Sequence, residues 1–310
     1  HVQQQPTGWN ARSARAQDFV GTRAMGLAEA YRAVATGNDA IYFNPAGLAI
    51  LPRYSPELHY SFNLATESHQ MDTSLVDSRT SPVAAGIGYT FEGRELTRRA
   101  YMAHVATLAI AVPVIPQAFF VGTGLKYVNI SDVINGNLLK ALSADTGVIA
   151  MLPGALSLAA VGYNLIPVQS DEAPVVMAFG AALDLGPLSQ LISGQPVWTA
   201  SPILSGIMIP GGSWQGPLGG LVLSSDWAIE PGAKPGAQHR ISTGLEYPFA
   251  AMWPLRVGYQ WVEAENRRLL SLGAGFISPA FGIDIAGQQD LDNLEQRTFA
   301  MALKFYLPAF

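Results

Sequence analysis

The chain contains no cysteine, and this absence excludes disulfide bonds, thiolate metal sites and cysteine nucleophiles. Charged residues are also scarce, at 13% of the 310 residues, against roughly 25% in an average soluble domain. The formal net charge of −5 is spread thinly over the chain. Nucleic-acid binding usually needs a basic patch or stripe, so we expect no nucleic-acid partner.

The sequence signatures of enzymes and metal sites are missing as well. None of the five histidines, which are His1, His59, His69, His104 and His239, belongs to a metal-binding pair at helical spacing. A nucleophile elbow and a phosphate-binding loop are also absent from the sequence. We therefore expect a protein that is not an enzyme and that uses no metal or cofactor.

Uncharged runs long enough for a membrane-spanning helix exist, but proline and glycine interrupt them. The runs 146–170 and 185–225 both exceed the roughly 18 residues that mark a helical span. The first contains Pro153-Gly154 at its middle, and the second contains five prolines. A proline costs about 3 kcal/mol in a helix interior and a glycine about 1 kcal/mol. These runs therefore predict β-hairpins.

Alternation of apolar with small or polar residues is the dominant pattern after residue 50. In 240–249, for example, Ile241, Leu245 and Phe249 share one face and Ser242 and Glu246 the other. Candidate strands of this kind are 57–64, 67–80, 83–92, 100–113, 117–131, 138–152, 155–166, 174–185, 218–229, 239–250, 253–262, 268–277, 280–287 and 297–308.

Three features favour a membrane barrel over a soluble β-sandwich. Aromatic residues concentrate near the segment ends, as interfacial girdles require. Connections alternate between tight and long, and the chain ends in Phe310 after an alternating segment. Because hydrocarbon excludes unpaired backbone, a sheet in the membrane must close on itself. The sequence therefore predicts an all-β fold, a transmembrane antiparallel β-barrel of about 14 strands in the bacterial outer membrane, with both termini on the periplasmic side.

The first 50 residues do not alternate and predict a different kind of structure. Segments 11–19 and 24–35 are short candidate helices, and the second is rich in alanine. A compact unit of small residues suits insertion into a crowded barrel lumen. We therefore divide the chain into an N-terminal luminal plug, 1–50, and the barrel, 51–310. The start at His1 instead of methionine predicts that a signal peptide has been removed.

A motif within the first 50 residues resembles the plug of FadL-type outer-membrane channels. Its strings are Gly21-Thr22-Arg23-Ala24-Met25-Gly26, then Ala30-Tyr31-Arg32-Ala33-Val34-Ala35, then Asn38-Asp39-Ala40, then Asn44-Pro45-Ala46-Gly47-Leu48. The plug-motif residues are Arg23, Gly26, Asn38, Asp39, Asn44, Pro45, Ala46 and Gly47, of which Asn44, Pro45 and Ala46 are carried over by position. The arginine before the small-residue helix and the aromatic before Asn44 are more similar to the PorV-like branch, which is associated with type IX secretion.

The resemblance implies a 14-stranded barrel with the Asn-Pro-Ala element in its lumen. It implies one of two functions. The barrel passes or carries hydrophobic small molecules across the outer membrane, with such a molecule and the membrane lipid as partners. Alternatively, it is a non-conducting PorV-like subunit or adaptor whose partners are proteins of an envelope or secretion complex. A general porin is a weaker third reading, because a plug and a small lumen argue against an open pore.

Charged residues on the small or polar faces of the strands should point into the lumen, because a charge on the lipid face at mid-bilayer costs roughly 2–4 kcal/mol. Glu246 and Arg256 flank one hairpin turn and are expected to pair. The charges either form a network that holds the plug through Arg23 or Arg32, or line a polar passage. The predicted luminal network consists of Lys126, Asp226, Glu246, Arg256, Asp284 and Lys304.

Apolar residues at unusual places suggest two further sites. Phe120 and Val128 lie on an otherwise polar face and are candidates for a pocket that binds an apolar ligand. The proline-rich connection 186–216 is a candidate surface for protein partners. Its apolar positions are Pro196, Trp198, Pro202, Ile203, Leu204 and Trp214.

Overall fold

The structure, a computed structural model, describes residues 21–96, 99–132, 136–152, 156–168, 173–185, 221–233, 236–249 and 252–307. Within these ranges, fourteen antiparallel strands follow one another around a barrel that closes where β1 pairs with β14. The strands are β1 Tyr54–Asn63, β2 Ser68–Asp77, β3 Ala84–Leu96, β4 Arg99–Ile115, β5 Phe119–Asp132, β6 Gly136–Leu152, β7 Leu156–Tyr163, β8 Val176–Asp184, β9 Val222–Glu230, β10 Gln238–Phe249, β11 Trp253–Val262, β12 Arg267–Ile277, β13 Phe281–Asp290 and β14 Arg297–Phe305.

The predicted fold class is confirmed, and each candidate segment overlaps one strand. Differences are confined to the strand ends. β1 begins at Tyr54 because Tyr54 and Ser55 still pair with β2, which apolar alternation alone does not reveal. β7 ends at Tyr163 because Asn164 adopts a left-handed conformation, with φ of 54°, that turns the chain out of the ladder.

Side chains alternate between the two faces of the barrel wall, as a strand period of two requires. Along β11 the residues are alternately exposed and buried. The outer face is apolar: Leu272 is 60% exposed, Leu58 57% and Met301 53%. An apolar exterior on a sheet with no free edge is the arrangement that hydrocarbon demands. The chain is therefore a membrane-spanning barrel.

Among the described residues, no helix has the length and apolar character needed to cross a membrane. The helical elements are short: α1 covers Thr22–Gly26, α2 covers Ala40–Phe43, and a 3-10 helix covers Pro45–Ala49.

The two ends of the barrel differ. At the terminal end, where residue 53 leads into β1 and residue 306 follows β14, the β4–β5 and β12–β13 connections are the short segments 116–118 and 278–280. At the opposite end, here called the loop end, longer segments such as 164–175 and 291–296 connect the strands. β8 ends and β9 begins at the terminal end, and a segment of the chain joins them. The candidate partner surface within it, 186–216, lies outside the described residues.

Residues 21–51, here called the luminal segment, lie inside the barrel. α1 packs against β11–β14, whereas the 3-10 helix packs against β3–β6 on the other side, so the segment crosses the lumen. Its alanines Ala24, Ala30, Ala33 and Ala35 are completely buried. The main hydrophobic core therefore lies between this segment and the barrel wall. Residues 1–20 are outside the described ranges, and the division of the chain at residue 50 stays a prediction.

Candidate functional site

Asn44 joins the luminal segment to the barrel wall. Its Nδ2 donates to the Arg32 carbonyl at 3.1 Å and to the Val148 carbonyl of β6 at 3.2 Å. Its Oδ1 accepts a hydrogen bond from the Ala46 backbone N–H at 3.2 Å. Pro45 is the first residue of the 3-10 helix, a position at which a backbone N–H has no acceptor within the helix, so proline costs no hydrogen bond there. The Asn-Pro-Ala element is therefore a cap and an anchor at once.

The 3-10 helix approaches β5 so closely that the wall must carry glycine there. A Cβ built on Gly122 would lie 2.6 Å from the Pro45 carbonyl oxygen. Two residues along the same strand, a Cβ on Gly124 would meet only ordinary contacts at 3.7 Å. Gly47 is constrained from within the segment, since its Cβ would collide with the Ala35 carbonyl. These glycines fix the depth at which the luminal segment docks.

Arg23 of α1 enters an ion-pair network on the β10–β13 side of the wall. Its Nε and Nη2 donate to both carboxylate oxygens of Glu246, at 2.9 and 2.7 Å. Arg256 donates to the same carboxylate at 2.5 Å and to Asp284 at 2.6 Å. Burial alone lowers the pKa of the Arg23 guanidinium, but Glu246, Tyr31 and Asp284 together raise the pKa well above its usual value. Gly26 packs beside this network, against Arg256 and Gly273.

Lys304 extends the network toward β1. Its Nζ lies 3.3 Å from Asp284, 3.8 Å from Glu57 and 4.0 Å from Asp39 of the luminal segment. Asn38, next to Asp39, donates from Nδ2 to the Ser55 carbonyl and to Ser74, both at 2.9 Å. The motif residues Asn38 and Asp39 thus meet the wall at β1, β2 and β14.

Asp226 forms a separate cluster with Arg32. Its Oδ2 accepts hydrogen bonds from the Tyr31 and Arg32 backbone N–H groups, both at 2.9 Å, and from the Arg32 guanidinium at 3.1 Å. Arg32 Nε donates to the Tyr163 hydroxyl at 2.8 Å, and that hydroxyl donates to the Phe43 carbonyl at 2.5 Å. Tyr163 was missed as a site residue, because its partners lie more than a hundred residues away in the chain.

Lys126 belongs to a third cluster, which lies at the start of the 164–175 connection. Its Nζ lies 2.8 Å from the Asp145 carboxylate of the neighbouring strand. Asp145 also accepts from the Asn164 backbone N–H at 2.8 Å, and Asn164 Nδ2 donates to the Pro174 carbonyl at 2.7 Å. The six predicted luminal charges therefore fall into three clusters, two of which contain an arginine of the luminal segment.

A further polar group on β1–β3 escaped the sequence reasoning. His59 Nδ1 lies 2.6 Å from the Asp72 carboxylate, and both side chains are buried. Tyr42 of the luminal segment reaches this region, where burial raises the pKa of its hydroxyl well above the usual value. The only available signal was the place of His59 on the polar face of its strand.

The inner wall turns apolar on β4–β6 near the loop end. One row of paired residues runs across six strands in the order His59, Asp72, Thr90, Val105, Val128 and Ala141. The next row toward the loop end runs in the order Ser61, Gln70, Glu92, Ala103, Ile130 and Leu139. The buried apolar cluster of this region, here called the apolar inner wall, is Ala103, Val128, Ile130, Leu139 and Ala173.

The two apolar candidates on the inner face have different surroundings. Val128 lies in the apolar inner wall, as a ligand pocket would require. Phe120 instead packs in the core beneath the luminal segment. Sequence reasoning missed Ile130 and Leu139 because the apolar inner wall forms only when three strands and the 164–175 connection come together.

The barrel wall beside this cluster is held by few backbone pairs. β6 pairs with β5 from Gly136 onward, but with β7 only from Thr146. Between Thr146 and the loop end, β6 has no paired β7 strand beside it, and residues 164–168 lie there instead. They contact β6 through the Leu165 N–H, which donates to the Ala144 carbonyl at 2.8 Å, and through Ser143 Oγ, which donates to the Ile166 carbonyl at 3.0 Å.

This stretch of wall is apolar on both sides. Leu165 and Ile166 are 38% and 47% exposed on the outside. Val168 and Ala173 pack against the apolar inner wall on the inside. Among the described residues, no group of three or more His, Asp or Glu side chains is arranged to hold a metal ion.

A closed 14-strand antiparallel barrel with an apolar exterior and a charged interior is an outer-membrane β-barrel. No protein-family model and no curated protein matches the chain. Solved structures with a similar fold include the monoaromatic hydrocarbon channel CymD, with a TM-score of 0.64 and 12% identity over 94% of this chain and 98% of that one.

Two further structures have the same fold. The P. putida toluene transporter TodX has a TM-score of 0.66 and 10% identity over 94% of this chain and 99% of its own. A FadL homologue from Pseudomonas aeruginosa has a TM-score of 0.59 and 10% identity over 92% and 98% of the two chains. The chain therefore has the fold of the FadL-type channels.

Proposed function

We propose that this barrel passes hydrophobic small molecules across the outer membrane. The observation that carries the proposal is the apolar inner wall, a buried apolar cluster on the inner face near the loop end that is separate from the core around the luminal segment. A polar solute gains nothing from such a surface, whereas an apolar one is stabilised by roughly 25 cal/mol for each Å² that it buries. Solved barrels of the same fold are described as a monoaromatic hydrocarbon channel and a toluene transporter, which supports the same substrate class.

We further propose that the route leaves the lumen sideways between the loop-end part of β6 and residues 164–168, which follow β7. A straight path is obstructed, because Tyr31, Arg23 and Arg32 of the luminal segment are buried across the lumen. The wall between β6 and residues 164–168 is apolar on both sides. One backbone hydrogen bond holds it, from the Leu165 N–H to the Ala144 carbonyl. Displacing residues 164–168 would therefore expose few unpaired backbone groups.

A reversible cross-link tests this route. Because the chain has no cysteine, Ala144→Cys with Leu165→Cys introduces a single disulfide between β6 and residues 164–168. In proteoliposomes, toluene flux should fall under oxidising conditions and recover on reduction. The matched control is Ile87→Cys with Leu108→Cys, a pair that faces outward across the regular β3–β4 ladder. Its oxidation should leave the flux unchanged, and equal flux through all oxidised forms would reject the lateral route.

Toluene binding tests the apolar inner wall separately. Val128→Asn places an amide in this surface, and binding of toluene to the purified barrel should weaken by roughly tenfold or more. Unchanged binding would contradict the proposed substrate class even if the cross-link result held.

The obstructed lumen also favours the second candidate, a PorV-like barrel that serves as a subunit or adaptor in an envelope or secretion complex. In that case toluene flux is absent from the wild type, and envelope proteins co-purify with the barrel. Deletion of 186–216 should then abolish co-purification while the barrel stays heat-modifiable on electrophoresis. Co-purification that survives the deletion would remove 186–216 as the partner surface.

A further inference from the structure

Basic side chains form a ring on the outer surface near the loop end. Seven strands begin at that end, namely β2, β4, β6, β8, β10, β12 and β14, and all except β8 carry an outward-facing basic residue within their first six residues. This set, here called the basic ring, is His69, His104, Lys140, His239, Arg268 and Arg297.

The basic ring lies where the apolar exterior begins. Two residues further into five of these strands, the outward position holds an exposed apolar side chain: Met71, Leu142, Ile241, Leu270 and Phe299. On β4, Leu108 takes this place four residues after His104. The ring therefore marks the boundary between lipid tails and headgroups, where long basic side chains can reach the polar layer.

The three histidines share one local geometry. The Tyr60 hydroxyl lies 2.8 Å from His69 Nδ1, and the Tyr89 hydroxyl lies 2.7 Å from His104 Nδ1. Trp227 Nε1 donates to His239 Nδ1 at 3.1 Å. An indole N–H can only donate, so Nδ1 of His239 accepts and its Nε2 carries the hydrogen. Aromatic neighbours thus hold each imidazole on the outer surface by one nitrogen.

Charge on the outer face is asymmetric. Among strand carboxylates whose side chains the structure describes, Asp77 faces outward, and it lies at the terminal end; the others face the lumen. Loop acids offset part of the ring: Asp292 pairs with Arg268 at 2.6 Å, and Glu263 lies 4.0 Å from His239 Nε2. Lys140 and Arg297 add positive charge on two further strands. The loop-end boundary is therefore the basic end of the exterior.

We propose that the basic ring binds the phosphate groups of lipid headgroups in the leaflet at the loop end. Arginine, lysine and imidazole N–H groups at a membrane surface make charge-assisted hydrogen bonds to phosphate oxygens. The tyrosine, tryptophan and phenylalanine side chains beside the histidines lie against the upper acyl chains of the same lipids. The ring thereby fixes the depth of the barrel in the membrane, and this role is independent of what passes through the lumen.

Native mass spectrometry of the whole chain in neutral detergent tests the proposal with lipid A, a bisphosphorylated glycolipid, as the probe. The wild type should retain lipid A. It should not retain lipid A from which the phosphates have been removed enzymatically. Lys140→Gln with Arg297→Gln should weaken retention by roughly fivefold for each residue changed. His69→Phe with His104→Phe keeps the aromatic surface and should weaken it further.

Arg79→Gln is the matched control, because Arg79 is an exposed basic residue in the β2–β3 turn at the terminal end. It should leave retention unchanged. Heat-modifiable electrophoresis establishes that each variant is folded, and Arg297→Gln alone replaces the pair if the pair does not fold. Equal retention by wild type and ring variants, an equal loss in Arg79→Gln, or retention that does not depend on the lipid phosphates would overturn the proposal. Displacement of lipid A by inorganic phosphate at similar concentration would reduce the ring to an ion site and would overturn it as well.

Discussion

Replacing Glu246 by glutamine removes the carboxylate that two guanidinium groups share. Arg23 makes two hydrogen bonds to it, and Arg256 makes a third. Arg256 keeps Asp284, but Arg23 is left with hydrogen bonds to the neutral oxygens of Tyr31 and Thr36. The variant therefore places a poorly compensated positive charge between α1 and the barrel wall.

The expected loss of stability follows from burial. Only 2% of the Glu246 side chain and 7% of the Arg23 side chain are exposed. Breaking a buried pair on one side costs roughly 3–5 kcal/mol, because the remaining charge is desolvated without a partner. Glutamine retains one oxygen as a hydrogen-bond acceptor, which places the expected loss near 3 kcal/mol, at the lower end of this range.

Urea unfolding of the barrel in detergent, followed by tryptophan fluorescence and heat-modifiable electrophoresis, measures the effect. Asp292→Asn is the matched control, because Asp292 pairs with Arg268, whose side chain is 54% exposed. An exposed pair contributes roughly 0.2–1 kcal/mol. Adding Arg23→Gln to Glu246→Gln removes the uncompensated charge and should restore part of the loss. If Glu246→Gln destabilised no more than Asp292→Asn, the network would not hold the luminal segment.

Three further predictions concern the docking of this segment and the nearby wall. Gly122→Ala should destabilise by roughly 1–3 kcal/mol in the same urea assay, because the new Cβ meets the 3-10 helix, whereas Gly124→Ala should change little; equal effects would place the helix elsewhere. Asn44→Asp loses two donated hydrogen bonds but keeps its acceptor for Ala46, so protease should cut residues 21–51 faster, and unchanged protection would contradict the anchoring role. Asp145→Asn weakens the contact with Lys126 and the acceptor of the Asn164 N–H, so residues 164–168 are held less firmly and toluene flux through the proposed lateral route should rise. Unchanged flux, even with a lower unfolding midpoint, would contradict a role of Asp145 in gating.

Much of the barrel could be predicted from the sequence because the governing signals are local. Alternation has a period of two residues, so the apolar positions of each strand identify the face that meets lipid. The same rule placed Glu246, Arg256 and Asp284 on the inner face, because each lies between outward apolar neighbours. Proline and glycine within the long uncharged runs excluded membrane-spanning helices.

Contacts across the lumen required the tertiary structure. Arg23 and Glu246 are 223 residues apart, and nothing local in the chain pairs Arg23 with Glu246 or Arg32 with Asp226. The apolar inner wall depends on register, since Val105, Val128 and Ala141 become neighbours only when three strands align. The chain on its own determined which face each strand turns to lipid, because that record is local. Closure of the sheet decided which remote side chains meet, because it places the inner faces of all fourteen strands around one lumen, which residues 21–51 cross.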